Sequence, residues 1–302
     1  MDKRLYRIGA LLAVYFFWGG TYLGMRFAVQ TIPPFLMAGT RFLTAGLAVY
    51  LYARLKGAPR PMLKHWIDAG IVGALLLLGG NGMVSWAEQL VSSSIAALLV
   101  ATVPLWMILL GLLAKDSRRP NATVCAAVAL GFVGIAILVL PSTGPGRIDP
   151  WGTVALLAAA FFWSLGSLYS RRARQPGSPL LAVGMQMLVG GALLLAGSGL
   201  GGEWSRFHPQ QVSARSLYGL GYLILFGSIV GYNAYIWLLK NADPTWVSTY
   251  AFVNPIVAVF LGWLLAGEQL TARSLWASAV IVLSVVIITV NRNLETAAAR
   301  RA

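Results

Sequence analysis

The chain has 302 residues, 58% of them hydrophobic and only 11% charged, with a net charge of +14 and a mean hydropathy of +0.73. A soluble domain carries about 25% charged residues, so a water-soluble enzyme or binding module is excluded. The positive charge is then read as membrane topology rather than as a nucleic-acid surface.

Apolar runs near the ~20 residues that cross a hydrocarbon core as a helix recur along the chain. Ten spans are expected, at about 8–29, 34–54, 66–87, 92–113, 123–140, 151–170, 180–200, 216–239, 246–266 and 274–291. The first is too long for a cleaved signal peptide, and a second follows at once. It carries Trp18, Tyr22 and Arg26; the second carries Pro34 and Arg41. The third holds Asn81 and Trp86 and ends at Glu88, and the fourth holds Pro104. The lone Cys125 lies in the fifth and rules out an internal disulfide framework. Trp163 and Ser167 fall in the sixth, Tyr232 and Asn233 in the eighth, and Tyr250, Asn254 and Pro255 in the ninth.

Assigning the connections alternately puts seventeen Lys and Arg on one side and four, Arg147, Arg206, Arg215 and Arg273, on the other. The cytoplasmic side is the Lys/Arg-rich one, so both termini are expected in the cytoplasm of a bacterial inner-membrane protein. Reporter fusions after Ala302 and between Arg171 and Pro179 should both read as cytoplasmic. A periplasmic signal from either would overturn the span count.

The chain repeats itself. An offset of 145 maps Phe16-Phe17-Trp18 onto Phe161-Phe162-Trp163, and Pro34, Gly39 and Gly46 onto Pro179, Gly184 and Gly191. An offset of 151 maps Gly80, Trp86, Pro104 and Gly111 onto Gly231, Trp237, Pro255 and Gly262. The change of offset implies a six-residue insertion near 201–213. The copies span about 8–140 and 151–291, which sets domains at 1–145 and 146–302. Five spans per copy make the second enter from the opposite side. The expected fold is therefore all-α and polytopic, with ten transmembrane helices as two inverted five-helix repeats.

With Trp18-Gly19 and Arg26, Pro34 and Arg41-Phe42, Pro104, Pro255 and Gly267-Glu268-Gln269-Leu270-Thr271 in this order, the chain resembles the drug/metabolite transporter superfamily, in its ten-span branch with two EamA-type domains. Lys115-Asp116-Ser117 stands where the second half has its Gly-Glu pair, and Gln186 where the first half has Arg41. The halves are thus not functional equals. The resemblance implies a central cavity lined by spans 1, 3, 4, 6, 8 and 9.

Those spans offer aromatic rings with a few amides and hydroxyls, the make-up of a small-molecule site. The candidate substrate-binding residues are Trp18, Tyr22, Asn81, Trp86, Trp163, Ser167, Tyr232, Asn233, Tyr250 and Asn254. Trp151, Trp204, Trp246 and Trp276 fit interfacial belts instead. Pro104 and Pro255 each free a carbonyl one turn earlier, and mark either a packed kink or a site-lining bend. Asn254 either supplies the missing hydrogen bond or faces substrate. Arg26, Arg41 and Glu88 are the charges in or beside spans. Arg41 either pairs with Glu88 or helix-end carbonyls, with Arg26 snorkelling outward, or one of the arginines meets an anionic group of the substrate.

The expected function is export of small organic metabolites, such as amino acids or related compounds and drugs, by alternating access. A lipid-carrier flippase or flippase subunit is the alternative; a membrane-embedded enzyme would need a nucleophile, acid or metal cluster that the sequence lacks. The expected partners are a small-molecule substrate and the lipid bilayer, with no nucleic acid, nucleotide, cofactor or metal; a monomer is the working expectation. Small multidrug exporters of the superfamily rely on a glutamate in the first span, and this chain has none there. No span carries a carboxylate at mid-membrane either, so transport without a proton gradient is expected.

Overall fold

A computed structural model describes residues 3–113, 121–139, 149–241 and 250–301. Residues 115–119, Arg147 and Trp246, on which charge, motif and belt expectations fell, lie outside the described residues. Every long element among the described residues is helical. We number the spans α1 (Lys3–Ala28), α2 (Pro34–Leu55), α3 (Leu63–Ala87), α4 (Ser93–Leu110), α5 (Ala122–Val139), α6 (Pro150–Ser170), α7 (Pro179–Leu200), α8 (Ala214–Tyr235), α9 (Tyr250–Ala266) and α10 (Ala272–Arg301). Eight of these helices are long and apolar enough to cross a membrane, and the apolar parts of α5 and α9 are shorter.

Local chemistry sets where they start. Asp149 and Ser178 cap α6 and α7, accepting from the amides of Gly152 and Leu181 at 2.8 and 3.4 Å. Each cap is followed by a proline at the first helical position, where its missing N–H costs nothing. A short helix, Glu203–Arg206, and a 3₁₀ turn, Pro209–Gln211, fill the region of the inferred insertion.

The inversion is visible in one interface. α2 and α7, the second helices of the two copies, cross with glycines facing backbone. A β-carbon at Gly39 would lie 3.0 Å from the Leu195 nitrogen, and one at Gly46 2.9 Å from the Leu188 nitrogen. From the other side, Gly184 and Gly191 would put theirs 2.8 Å from the nitrogens of Tyr50 and Leu43. The contacts run in opposite directions along the two helices, so equivalent helices are antiparallel, as an axis in the membrane plane requires. Small residues at helix crossings let backbones approach where lipid offers no hydrophobic drive. α5 and α10 pack in the same antiparallel way, through Gly131 on Ser284 and Gly134 on Ile281.

The third helix of each copy departs from α geometry. α3 carries a π-helical stretch at Ala74–Gly82 and α8 another at Leu223–Val230. Such widened turns loosen the backbone ladder and are frequent at functional sites.

One face gathers the connections 29–33, 88–92, 201–213 and 267–271; we call it the outer face, following the charge distribution. Several bonds draw it together. Glu203 accepts from the amides of Phe35 and Leu36 at 3.3 and 2.9 Å, filling the open start of α2. Ser216 donates to the Phe27 carbonyl at 2.8 Å, tying α8 to α1. On the opposite face Asp68 accepts from Tyr169 and from the Arg174 amide at 2.8 and 2.7 Å.

Candidate substrate site

The first half of the site is an aromatic box. Trp18 projects from α1 between α8 and α9, its ring centroid 6.1, 5.1 and 5.4 Å from those of Tyr232, Tyr235 and Tyr250. Its indole nitrogen donates to the Gly227 carbonyl at 3.0 Å, inside the π-helical stretch of α8. A β-carbon at Gly231 would stand 2.7 Å from that nitrogen, so the glycine makes the ring's seat. Tyr22, one turn along α1, is half-buried within electrostatic reach of Tyr250. The expected site residues Trp18, Tyr22, Tyr232 and Tyr250 are thus brought together, and Tyr235 joins them.

The second half repeats the tryptophan–glycine contact with the roles of the copies exchanged. Trp163 on α6 packs against α3, where a β-carbon at Gly80 would lie 2.9 Å from its ring. Gly80 and Gly231 are the pair matched by the repeat, as are Trp18 and Trp163. Each first-helix tryptophan therefore rests on a glycine in or beside the π-helical stretch of the opposite copy. The amide of Asn81 points at the Leu76 carbonyl of that stretch, 3.5 Å away.

Other expected residues are placed differently. Asn233 spends its amide on the Ile229 carbonyl of its own helix at 2.7 Å. Ser167 is half-buried on α6, and Trp86 is 36% exposed, neither touching the Trp18 box in the contacts described. Asn254 is buried with its carbonyl oxygen unpartnered among the described residues. Trp106, between Phe132 and Phe161 at 6.2 and 5.6 Å, likewise has a buried, unpartnered indole nitrogen. Buried polar atoms left without partners are rare, and these two sit on the equivalent helices α9 and α4.

The prolines sit differently in those helices. α4 leaves helical geometry at Ala101 and Thr102, just before Pro104, and the Thr102 hydroxyl donates to the Leu99 carbonyl at 2.6 Å. The Ser164 hydroxyl, 3.0 Å from the Val103 carbonyl, ties this break to α6. Pro255 lies within an unbroken helix.

The charges correct one expectation. The Arg26 guanidinium donates to the Glu88 backbone carbonyl at the outer end of α3, and not to the Glu88 carboxylate. Arg41 does not pair with Glu88 either. It is 6% exposed, donates to the Ser228 hydroxyl at 2.9 Å and stacks 4.6 Å from the Phe42 ring. Burial selects these neutral partners, because the guanidinium's hydrogen bonds are met by oxygens already next to it.

Glu268 has a role that the sequence did not reveal. Its carboxylate accepts from the amides of Ser93 and Ser94 at 2.8 and 3.0 Å, from the Ser93 hydroxyl at 2.7 Å, and from the Ser94 hydroxyl. Gly267, at φ +65°, turns the chain so that the carboxylate points back. A negative group here meets both the free amides and the positive end of the α4 dipole. The clasp joins the second copy to the first at the outer face. Beside it lies a groove of about 220 Å³ lined by Ser92, Leu98, Gln269, Thr271 and Ser274, among others, and by none of the expected site residues.

A model of the EamA-like transporter family matches residues 6–140 and again 150–290. The "Uncharacterized inner membrane transporter YedA" of Escherichia coli (strain K12) is 40% identical over 95% of this chain and 91% of its own. A "Probable amino-acid metabolite efflux pump" of Salmonella typhimurium is 26% identical over 90% of this chain and 91% of its own. A solved crystal structure shares the fold, with a TM-score of 0.62 at 20% identity over 95% of this chain and 97% of that one.

Proposed function

The chain belongs to the EamA-like transporter family, and on that premise we propose that it exports small organic metabolites, amino acids or related compounds and drugs. It is a multi-pass inner-membrane protein. We assign its halves as two domains, 1–145 and 146–302, that move against each other in alternating access. The observation that carries this reading is the exchanged pair of contacts, Trp18 on Gly231 and Trp163 on Gly80. Each is a cross-copy contact at a π-helical stretch, where a small backbone shift re-aims a large ring. The aromatic box and the unpartnered Asn254 oxygen supply apolar walls and a polar point for an amine or amide. The similarity to a protein named as an amino-acid metabolite efflux pump supports the same class. The flippase alternative drew on Arg26 and Arg41, and both are bonded within the protein.

Counterflow in proteoliposomes loaded with each of the twenty amino acids, aromatic cations and purines tests the proposal. Accelerated uptake of at least one of them is expected; no acceleration by any would refute the substrate class. With the amino acid or drug so found, Trp18→Ala should weaken binding at least several-fold. A desolvated aromatic pair contributes about 0.5–1.5 kcal/mol beyond its area, and the bond to Gly227 is lost as well. Trp276→Ala, at a ring 71% exposed, should bind as wild type. Equal affinities in all three proteins would remove Trp18 from the site.

A further inference from the structure

Glu88 is the first residue past α3, and it is 0% exposed. Neither oxygen of its carboxyl group has a hydrogen-bond partner among the described residues. This is unlike the other acids whose side chains are described. Asp68, Asp149, Glu203 and Glu268 each accept bonds from backbone or hydroxyl donors. Among the described residues, few charged or titratable groups lie within electrostatic reach of Glu88. α1 contributes Tyr22 and Arg26, α2 contributes Arg41, and the α9–α10 turn contributes Glu268. Arg26 is held by the Glu88 backbone carbonyl and Arg41 by Ser228, so neither guanidinium satisfies the carboxylate.

An ionised carboxylate buried without a donor is costly, and a bound proton removes that cost. We propose that Glu88 is a proton-binding site that sets whether the outer face is closed. The proton comes from outer water and adds to one carboxyl oxygen; no bond other than that O–H forms or breaks. In the closed arrangement Glu88 is neutral, and the neighbouring Glu268 carboxylate keeps its clasp on Ser93 and Ser94. Loss of the proton puts a second negative charge within electrostatic reach of Glu268 and demands hydration. Both needs are met by parting α4 from the α9–α10 turn. This reverses the expectation of proton-independent behaviour, which rested on how deep a carboxylate lies in the membrane. Burial, rather than depth, is what makes Glu88 a proton site. The inference adds a ligand to the transport proposed above without depending on the exported compound, and its test uses no such compound.

Ala97 lies one turn inward from Ser93 on α4 and is fully buried. In a Cys125→Ala background, Ala97→Cys in proteoliposomes is labelled with a membrane-impermeant maleimide between pH 5 and 9. Rates are taken relative to Ser205→Cys, an exposed position on the same face, which cancels the pH dependence of the thiol itself. The normalised rate should rise roughly fivefold or more with pH, the low end of coupling between two sites. Glu88→Gln should stay at the acid-side rate at every pH. Glu88→Met, a second neutral variant of similar size, should do the same. A flat wild-type profile, or a pH dependence that persists in both neutral variants, overturns the proposal.

Discussion

Gly191→Val is expected to destabilise the protein by at least ~3 kcal/mol, the upper range for overpacking a close-packed interior. The reason lies in what the new side chain meets. Its β-carbon would sit 2.8 Å from the Leu43 nitrogen and 3.2 Å from the Gly39 carbonyl oxygen. Both are backbone atoms, which cannot rotate aside as a side chain can. α2 would have to withdraw from α7, and the contacts at Gly39, Gly46 and Gly184 along the same crossing oppose that. Gly221→Val and Gly9→Val are the controls, since nothing lies within 4 Å of a β-carbon at either position. Those two should match wild type to within about 1 kcal/mol, valine being slightly the better helix former. Thermal unfolding in one detergent, followed by far-UV circular dichroism, ranks the three. If Gly191→Val melts with the controls, the antiparallel α2–α7 crossing is wrong.

Much of this was written in the sequence. The offset of 145 pairs Gly39 with Gly184 and Gly46 with Gly191, the residues on which α2 and α7 cross. The offset of 151 pairs Gly80 with Gly231, the seats of Trp163 and Trp18. Repetition survives in sequence where a backbone approach tolerates only hydrogen at the α-carbon. What stayed hidden depends on contacts distant along the chain. The stretches ALLLLGGNG and LILFGSIV read as ordinary apolar helix, and nothing in their spacing marks a π-helical turn. Arg41 and Ser228 are 187 residues apart, and the hydroxyl takes a bond for which Glu88, helix-end carbonyls or a substrate anion were the expected alternatives. Glu268 stood out as part of a motif, but its partners lie 175 and 174 residues upstream. A polar pair such as Ser93-Ser94 ahead of an apolar run signals a helix start, yet does not say which acid will fill it.

Glu268→Ala is expected to loosen the start of α4 and with it the closure of the outer face. The carboxylate serves four donors from Ser93 and Ser94, side chains that are 0% and 4% exposed. A hydrogen bond to a charged group contributes about 1.5–3 kcal/mol, and a buried donor left alone costs about 1–3 kcal/mol. Water from the adjacent groove offsets part of the loss. A net weakening of local closure by about 1.4 kcal/mol would raise amide exchange tenfold, since exchange through local opening follows the free energy of that opening. Hydrogen–deuterium exchange over residues 93–100 should therefore quicken by about that factor, with α2 and α7 unaffected. Glu268→Gln should fall between, because its amide nitrogen replaces one acceptor and faces donors. Gly262→Ala offers an independent route to the same result. Its β-carbon would stand 2.5 Å from the Glu268 Oε2 and 2.7 Å from the Ser94 Oγ, displacing the clasp while leaving the charge in place. Faster exchange in both Glu268→Ala and Gly262→Ala identifies the clasp itself as what holds α4 to the α9–α10 turn. Unchanged exchange in both would mean that packing between α4 and α9 closes the outer face without it.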